Sequence, residues 1–374
     1  MTMVAVADKP KAAPLETLAA RGAHLRATIA AQNLDAFLVS KPPNARYLTG
    51  FNGDDSYVLV TAVGMWLLTD ARFTLQAQRE TRGVTVVQND PRVRGNIAQQ
   101  IKDLAIRRLG FEAQHLVVSL YDDLHEDLPA VELVATRGLV EAQRAAKDPA
   151  ELATLRHAIA ISDQAFNEVS AAIRPGMTER QVAVMIEARM IELGAEGPAF
   201  PTIVAAGPNG AMAHAVASDR PIRLGEPIVI DMGARYGGYH SDMTRTLVLG
   251  EADDRFREIY DQVLRAHLAA EAGAKAGLSG KTIDALARDS IAAAGHGDHF
   301  GHGTGHGIGL EVHEPPSVSL RSDDTPLTAG NVISIEPGIY LPDWGGVRIE
   351  DLILLGPDGA EVLTQATKQG FYNT

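Results

Sequence analysis

The sequence predicts two domains, an α/β amino-terminal domain with a mixed sheet and an α+β carboxyl-terminal domain. Helix and strand signals alternate over residues 15–140, which is typical of an α/β domain. A charged, alanine-rich stretch, EAQRAAKDPA, follows at residues 141–150 and is interpreted as the linker. Over residues 151–374, helix pairs alternate with antiparallel hairpin signals, and a length of 374 residues suits two domains.

Composition and charge exclude several kinds of partner. The net charge of −13 and the pI near 5.4 argue against binding to nucleic acid or anionic membranes, because phosphate recognition needs clustered Lys and Arg. The chain has no Cys, which excludes a disulfide framework and thiol chemistry and suits a cytoplasmic protein. Residues 1–14 lack the apolar core of a signal peptide and are predicted to form a disordered tail. No apolar run reaches the roughly 20 residues of a membrane span.

The elements predicted for the amino-terminal domain follow from apolar spacing and turn residues. Helices are expected over residues 15–31, 71–81 and 97–108, and strands over 36–39, 57–60, 65–68, 84–87 and 116–118. The domain carries no compact cluster of acids or histidines, so we interpret it first as a scaffold or oligomerisation domain. The alternative is that loops 41–55 and 69–73 help to close a substrate pocket.

Helix starts in the carboxyl-terminal domain carry capping signals. Asp148 is a suitable N-cap, Pro149 suits the first helical position and Glu151 the third. Thr178 begins a capping box, TERQ. The helices are expected to end near residues 173 and 193, and two more are expected over residues 256–276 and 282–294.

The segment 227–250, PIVIDMGARYGGYHSDMTRTLVLG, predicts a β-hairpin, because two apolar runs flank a Gly-Gly pair. Strands that fold back about the Tyr236/Gly237 midpoint would place Asp231 directly opposite Asp242. Directly opposed side chains have Cβ atoms roughly 4.5–5.5 Å apart. Two carboxylates at that distance repel each other unless a cation lies between them or one is protonated. From this spacing alone, a pair of solvated hairpin acids stays an open alternative.

A second hairpin is predicted over residues 331–355, NVISIEPGIYLPDWGGVRIEDLILL, with Glu336 in its first run and Glu350 in its second. Their midpoint is Asp343, inside the turn segment, so this hairpin can also bring two acids together. Between the hairpins, residues 296–314 hold five of the chain's 12 histidines among glycines that suit loops better than a helix. Four acids and a histidine-rich segment favour a metal site over a cluster of satisfied core polar groups.

These residues resemble those of a known enzyme family, that of methionine aminopeptidase, aminopeptidase P and prolidase. Its five dinuclear-metal ligands are matched, in order and context, by Asp231, Asp242 in SDMTRT, His306 in HGTGHGIGLEVHE, Glu336 in IEPGIY and Glu350 in VRIED. The segments NARYLTGF (44–51) and LLTDARFTLQA (67–77) resemble the amino-terminal domain of its aminopeptidase P and Xaa-Pro dipeptidase branch. The resemblance covers nearly the whole chain after about residue 15, and it implies the pita-bread fold for a catalytic carboxyl-terminal domain.

The resemblance implies two divalent metal ions per subunit, bound by these five residues. Four carboxylates and one imidazole suit Mn²⁺, Co²⁺ or Zn²⁺ in a hydrolytic pair better than a structural zinc site, and we expect Mn²⁺ or Co²⁺ first. Without cations, four carboxylates held together would have raised pKa values and would reduce stability. The ligating histidine should be neutral, with its other ring nitrogen bonded to an acceptor.

By the same resemblance, further residues act around the metal ions. Glu336 is expected to serve also as the proton shuttle for hydrolysis, and His214 and His313 to stabilise the tetrahedral intermediate and hold the substrate. Arg348 is expected to orient the site by an ion pair. It lies two residues before the last acidic ligand, so both side chains would be on the same face of the strand. His302 precedes the histidine ligand by one potential helical turn and matches another polar position of the branch. Taken singly, each of these histidines could also be an ordinary polar residue.

The site and the resemblance together predict hydrolysis of a small peptide with proline at its second position. The proline preference comes from the resemblance alone. An Xaa-Pro dipeptidase (prolidase) is favoured, and an Xaa-Pro aminopeptidase (aminopeptidase P) that acts on longer peptides is the alternative.

A dipeptidase needs a cation for the substrate carboxylate, because burying that carboxylate unpaired is unfavourable. Arg46 and Arg72 of the amino-terminal domain, from the same subunit or from the partner in a homodimer, are the candidates. For either arginine, a surface or interdomain salt bridge is the alternative interpretation.

Three rival functions share the predicted fold. A methionine aminopeptidase would have the same five ligands, but the amino-terminal domain and the context of Arg348 argue against it. A creatinase-like or ectoine-hydrolase-like enzyme attacks other C–N bonds; the retention of all five ligands argues against creatinase, which works without metal. A catalytically inactive module that binds peptides would be expected to have lost ligands, and none is missing here.

Overall fold

The computed structural model describes residues 13–88 and 92–372. The described chain divides into an amino-terminal unit that ends at Arg144 and a carboxyl-terminal unit that begins at Ala145. Most of the predicted tail, residues 1–12, lies outside the described residues. In the described ranges, no helix combines the length and the apolar character that crossing a membrane requires.

The amino-terminal unit is built around a six-stranded sheet. Its strands are β1 (Ala36–Val39), β2 (Tyr57–Thr61), β3 (Met65–Leu68), β4 (Thr85–Val87), β5 (Arg108–Glu112) and β6 (Glu132–Thr136). Its helices are α1 (Leu15–Ala31), α2 (Pro42–Thr49), α3 (Thr74–Glu80), α4 (Val93–Asp103), α5 (Val118–Asp127) and α6 (Leu139–Ala145). The strand order is β4-β3-β2-β1-β5-β6, with β1 antiparallel to β2 and parallel to β5, so the predicted mixed sheet is confirmed.

Two local predictions in this unit are wrong. Residues 116–118 form no strand; the strand of this region is β5, and α5 begins at Val118. Strand β5 contains Gly110, where a Cβ atom would lie 2.6 Å from Leu34 Cδ1, so close packing against the sheet explains a glycine that weakens the strand signal. Helix α2 occupies part of the predicted loop 41–55, because its paired prolines suit the first helical positions.

The carboxyl-terminal unit combines helix pairs with antiparallel strands. Its helices are α7 (Pro149–Ser170), α8 (Glu179–Glu192), α9 (Asp254–Gly273) and α10 (Gly280–Ala293). Its strands before α9 are β7 (Gly197–Pro198), β8 (Ile203–Ala206), β9 (Pro227–Met232), β10 (Ala234–Tyr236), β11 (Tyr239–His240) and β12 (Met243–Leu249). Those after α10 are β13 (Gly305–Gly307), β14 (Glu314–Val318), β15 (Val332–Ile335), β16 (Gly338–Leu341), β17 (Gly345–Arg348), β18 (Asp351–Leu355), β19 (Ala360–Val362) and β20 (Phe371–Tyr372).

Both predicted capping boxes are present. Asp148 accepts from the backbone N–H of Glu151 at 2.9 Å, and the Glu151 carboxylate accepts from the backbone N–H of Asp148 at 3.0 Å. Thr178 and Gln181 make the same exchange at the start of α8. The predicted linker 141–150 is mostly helical, since α6 ends at Ala145 and α7 begins at Pro149.

Two halves of this unit repeat one arrangement. Helices α7 and α8 pack on the sheet β20-β12-β9-β8, with a buried core that includes Phe166 and Ile230. Helices α9 and α10 pack on the sheet β14-β13-β15-β18-β19, with a core that includes Val263 and Ile333. Each half therefore supplies one of the two predicted acidic hairpins.

The first hairpin turns at Gly237-Gly238, and the predicted register is wrong. Strands β9 and β12 pair Asp231 with Thr244 rather than with Asp242. Both glycines have positive φ, 59° and 74°, as a two-residue hairpin turn requires, so the strands fold about the bond between them. The residue opposite Asp231 is therefore two positions further along the chain than predicted. Because side chains alternate with a period of two, Asp242 still lies on the same face as Asp231, diagonal to it.

The second hairpin has the predicted register. The ladder of β16 and β17 places Gly338 opposite Arg348, and the ladder of β15 and β18 is symmetric about the same residue, Asp343. The predicted midpoint is therefore confirmed. Glu336 and Glu350 lie at corresponding positions, where the hairpin is interrupted between its two ladders.

Candidate metal centre

A cavity of about 520 Å³ in the carboxyl-terminal unit is lined by residues of both acidic hairpins. Every residue of this unit that the sequence predicts as a ligand or as a polar group beside the metal lines it, namely Asp231, Asp242, His306, Glu336, Glu350, His214, His302, His313 and Arg348. Apolar side chains, among them Phe200, Val216 and Val312, line other parts of its wall. The cavity is thus a polar centre with an apolar surround.

Asp231 and Glu350 are each hydrogen-bonded through one oxygen only. Arg348 donates from Nη2 to Asp231 Oδ2 at 2.7 Å, and Thr244 donates from Oγ1 to Glu350 Oε2 at 2.7 Å. The second oxygen of each, Oδ1 and Oε1, is buried without a hydrogen-bond partner in the described part of the chain. A buried polar atom without a partner typically costs about 1–3 kcal/mol. Both atoms are therefore candidate metal ligands, and buried Asp242 lies beside them.

His306 on β13 lies between two of the acids. Its Nε2 is 3.3 Å from Glu336 Oε1 and 3.7 Å from Asp242 Oδ2. Its Nδ1 donates to the Gly307 carbonyl oxygen at 3.1 Å, as predicted for a ligating histidine, and this leaves Nε2 to bind a metal. Ser334 Oγ accepts from the backbone N–H of His306 at 3.0 Å and donates to Glu336 at 3.2 Å, which fixes the two residues relative to each other.

His302 lies in an irregular segment, so the predicted helical turn is wrong. Glycines flank it on both sides, and each glycine destabilises a helix by roughly 1 kcal/mol. Its Nδ1 donates to the Gly303 carbonyl at 2.8 Å, and its Nε2 lies 2.8 Å from the hydroxyl of Tyr340. That hydroxyl accepts from Arg348 Nη1 at 2.8 Å. Burial lowers the pKa of His302, so the neutral ring accepts from Tyr340 and continues the hydrogen-bonded chain.

Two further histidines face the same cavity. The ring of His313 packs against that of His306, with centroids 4.0 Å apart and the ring planes tilted by 39°. Burial and the neighbouring charge of His306 lower the pKa of His313. His214 also lines the cavity. An imidazole ring carries at least one N–H donor, so these side chains can hold a substrate carbonyl oxygen.

Burial raises the pKa of Asp231, Asp242 and Glu350, and repulsion from neighbouring carboxylates adds to the effect. Burial also acts to raise the pKa of Glu336, but the hydrogen bond and charge of His306 lower it to about 2. Burial acts to lower the pKa of His306, but the hydrogen bond to Glu336 and the surrounding carboxylates raise it to about 9. The cluster therefore has more negative charge than its own cations balance.

The donor set fits divalent metal ions. Ligand atoms of Asp242, His306 and Glu350 all lie within 4.8 Å of one another. The two buried oxygens without partners belong to the same cavity. Carboxylate oxygens with a single imidazole are the ligands of hydrolytic metal centres rather than of thiolate sites.

Sequence reasoning missed three hydroxyl groups that position these side chains. Thr244 and Tyr340 bond to Arg348 and to the acids or histidines around it, and Ser334 bonds to Glu336. A signal was available, because each lies two or four residues from a predicted acidic ligand in one predicted hairpin strand, and alternation along such a strand would place these residues on one face.

The two arginines predicted to bind a substrate carboxylate belong to the amino-terminal unit. Arg72 Nη2 donates to Asp70 at 2.7 Å and to Asp55 at 3.0 Å, and these hydrogen bonds raise its pKa. Arg46 Nη1 donates to the side chain of Asn52. Both arginines have partners within their own unit, and their role in binding substrate stays a prediction.

The amino-acid sequence of the chain is similar to those of known protein families and of known enzymes. Residues 153–357 match metallopeptidase family M24, and residues 21–146 match the Creatinase/Prolidase N-terminal domain. An Xaa-Pro dipeptidase of Pyrococcus horikoshii is 38% identical over 339 residues, which cover 90% of this chain and 94% of that protein.

Solved structures show the same similarity. An Xaa-Pro dipeptidase from Bacillus anthracis is 40% identical with a TM-score of 0.91, over 95% of this chain and 99% of that one. An X-Pro aminopeptidase from Thermotoga maritima is 37% identical with a TM-score of 0.88, over 94% of this chain and 99% of that one.

Proposed function

Since the chain belongs to metallopeptidase family M24, as predicted, and has its pita-bread fold, we propose that it hydrolyses the peptide bond between an amino-terminal residue and proline. The observation that carries the proposal is the meeting of four carboxylates and His306 in one cavity, with two buried carboxylate oxygens left unpaired. Xaa-Pro dipeptidase activity is favoured, because similar proteins over nearly the whole chain carry that name.

Five residues would hold two divalent metal ions per subunit: Asp231, Asp242, His306, Glu336 and Glu350. Mn²⁺ or Co²⁺ is favoured and Zn²⁺ is also compatible with this oxygen-rich set. When bound, two such metal ions would activate water and polarise the carbonyl group of the substrate.

The chain's own residues supply proton transfer and orientation. Glu336, whose pKa is lowered to about 2, is ionised at neutral pH and can take a proton from the attacking water. It can pass that proton to the proline nitrogen, which leaves as a secondary amine. His214 and His313 can donate to the carbonyl oxygen as it gains negative charge. Arg348 is held by Asp231 and Tyr340, and so orients one acidic ligand.

One observation supports the second candidate, an Xaa-Pro aminopeptidase that acts on longer peptides. Among the described residues that line the cavity, Arg348 is the only Lys or Arg. Its guanidinium already donates to Asp231, Thr244 and Tyr340. A free substrate carboxylate would therefore need a cation from outside this lining, for which Arg46 and Arg72 are the predicted candidates, whereas a longer peptide would not need one.

A hydrolysis panel tests the proposal and separates the two candidates. Purified protein loaded with Mn²⁺, Co²⁺ or Zn²⁺ is given Xaa-Pro, Xaa-Pro-Yaa and Xaa-Ala peptides. A dipeptidase cleaves Xaa-Pro fastest, and an aminopeptidase cleaves Xaa-Pro-Yaa fastest. Hydrolysis of none of the proline peptides with any of the three metals would refute the proposed function.

The proposal includes a cytoplasmic homodimer that binds peptides and neither nucleic acid nor membranes. In the family that the sequence resembles, the amino-terminal domain often reaches the active site of a neighbouring subunit. A dimer would therefore have a functional role. Light scattering after size exclusion measures the assembly, and a monomer that cleaves at full rate would contradict it.

A further inference from the structure

Arg245, on β12, is a buried side chain whose N–H donors are all satisfied. It is 1% exposed and points away from the cavity, since it alternates with Thr244 on the strand. Its donors reach five acceptors: Thr367 O at 3.0 Å, Thr244 O at 2.9 Å, Glu350 O at 2.6 Å, Asp351 Oδ1 at 2.7 Å and Ala366 O at 2.9 Å. One guanidinium thus joins the first hairpin, the second hairpin and the carboxyl-terminal segment.

The contact with Glu350 occurs where the ladder of the second hairpin is interrupted. Strand β17 ends at Arg348 and β18 begins at Asp351, so Glu350 belongs to neither ladder. Its backbone N–H donates to Thr244 O at 3.0 Å, and its carbonyl oxygen accepts from Arg245. Both backbone polar groups of Glu350 are therefore bonded to β12, the strand that begins directly after Asp242.

A second buried group of charges holds the other side of Arg245. Asp351 accepts from Arg245, lies 3.2 Å from His267 Nε2 and pairs with Lys368. With His267 and Glu271 it forms a cluster of metal-ligand types. Arg245 and Lys368 already supply positive charge there, so the cluster is an anchor for the guanidinium rather than a third metal site.

We propose that Arg245 is a positioning residue of the metal centre, which sets the place of Glu350 relative to Asp242 so that both can bind the metal ions. The inference rests on the proposed function, because it takes these two acids as ligands. A guanidinium suits this role, since its planar fork of five N–H donors reaches four carbonyl groups and a carboxylate at once. A lysine ammonium is a point charge with three donors and cannot span the same acceptors.

The variant Arg245→Lys tests this role, because it keeps the charge and loses the fork. Metal-free protein is titrated with Co²⁺, and binding is followed by the visible absorption of the ion, which reports ligand geometry. Outer partners of metal ligands typically contribute about 10–100-fold in metal affinity. We therefore expect Co²⁺ affinity to fall about tenfold or more and the absorption spectrum to change, while the far-ultraviolet circular dichroism stays that of the wild type.

Arg156→Lys is the matched control. Arg156 donates to both oxygens of Glu361 at 2.8 and 2.6 Å, and its side chain is 43% exposed. It makes an arginine fork in the same unit but away from the cavity lining. This variant should bind Co²⁺ with the affinity and spectrum of the wild type.

The outcomes distinguish the positioning role of Arg245 from the proposed function. A folded Arg245→Lys variant with wild-type affinity and spectrum would overturn the positioning role and leave the proposed function intact. Wild-type protein that binds no Co²⁺, Mn²⁺ or Zn²⁺ would overturn both. If Arg245→Lys does not fold, Asp351→Asn decides, since it keeps Arg245 and removes the charge that anchors it. Weaker Co²⁺ binding in that variant supports the proposal, and unchanged binding overturns it.

Discussion

The hydroxyl of Thr244 donates to Glu350 at 2.7 Å, so a strand of the first hairpin bonds directly to an acid of the second. The same hydroxyl accepts from Arg348 Nε at 2.9 Å. Thr244 also lies directly opposite Asp231 in the strand pair. One small side chain thus connects two charged groups of the candidate metal centre, and Arg348 in turn donates to Asp231.

Replacing Thr244 by Val should weaken metal binding without unfolding the protein. Valine has nearly the same shape, but Glu350 loses a donor and Arg348 loses an acceptor, both buried. We expect metal affinity or turnover to fall about 10–100-fold. Isothermal titration with Mn²⁺ measures this, with Thr154→Val in α7 as the control. Wild-type affinity would show that the hydroxyl has no role in holding the ligand.

Removal of metal should abolish hydrolysis and lower the thermal unfolding midpoint. Buried carboxylates that repel one another lose their counter-charges when the ions leave. An ion present at 100 times its Kd contributes about 2.7 kcal/mol to the unfolding free energy. Calorimetry and peptide hydrolysis before and after chelation check both effects, and Mn²⁺ or Co²⁺ should restore them. Full turnover in protein whose metal content is shown to be nil would rule out metal dependence.

Asp242→Asn should reduce the number of metal ions bound and nearly eliminate turnover. The substitution keeps the shape of a buried side chain and removes one of its charges, so the fold should survive. Metal content by mass spectrometry and the rate of Xaa-Pro hydrolysis are the measurements. Asp219→Asn is the control, because Asp219 is an acid whose side chain is 81% exposed and pairs with Arg180. Unchanged stoichiometry and rate in Asp242→Asn would exclude Asp242 as a ligand.

His267 should contribute more to stability at low pH than at high pH. Burial acts to lower the pKa of His267, but hydrogen bonds to Asp351 and Glu271 raise it above its ordinary value. A group whose folded-state pKa is raised contributes fully below its unfolded-state pKa, about 6.5, and the contribution is lost as pH rises through the folded-state pKa.

The difference in thermal midpoint between wild type and His267→Gln should therefore be larger near pH 6 than near pH 9. Scanning fluorimetry in matched buffers measures the two midpoints at each pH. A difference that stays constant, or that grows with pH, would show that the histidine is not held in its charged form.

If the enzyme is a dipeptidase, Arg46→Ala or Arg72→Ala should raise KM for Xaa-Pro much more than for Xaa-Pro-amide. A hydrogen bond to a charged group contributes about 1.5–3 kcal/mol, which corresponds to a change in KM of roughly tenfold or more. Steady-state kinetics on the two substrates gives the comparison. Arg79→Ala, at an exposed arginine of α3, is the control. Faster cleavage of Xaa-Pro-Yaa than of Xaa-Pro by the wild type would argue against a carboxylate clamp.

Features that depend on near neighbours in the chain could be predicted. The capping boxes of Asp148 and Thr178 involve residues within one helical turn, and both are present. The second hairpin has its predicted midpoint at Asp343, because the turn segment is flanked by two clear apolar runs. The register of the first hairpin is less well determined by alternation. Two turn midpoints one residue apart both leave Asp231 and Asp242 on one face, and only the turn at the Gly-Gly pair distinguishes the two registers.

By itself, the sequence indicated an α/β domain followed by an α+β domain, because that class depends on residue type and spacing, and its resemblance to a known family supplied the side chains expected to bind metal. Only the tertiary structure decided which groups hold those ligands in place. Arg245 bonds to acceptors 105 and 122 residues away, and Thr244 reaches Glu350 across 106 residues. No local pattern specifies such partners, because these hydrogen bonds form only when the two hairpins pack together and bury the polar groups that must then find one another.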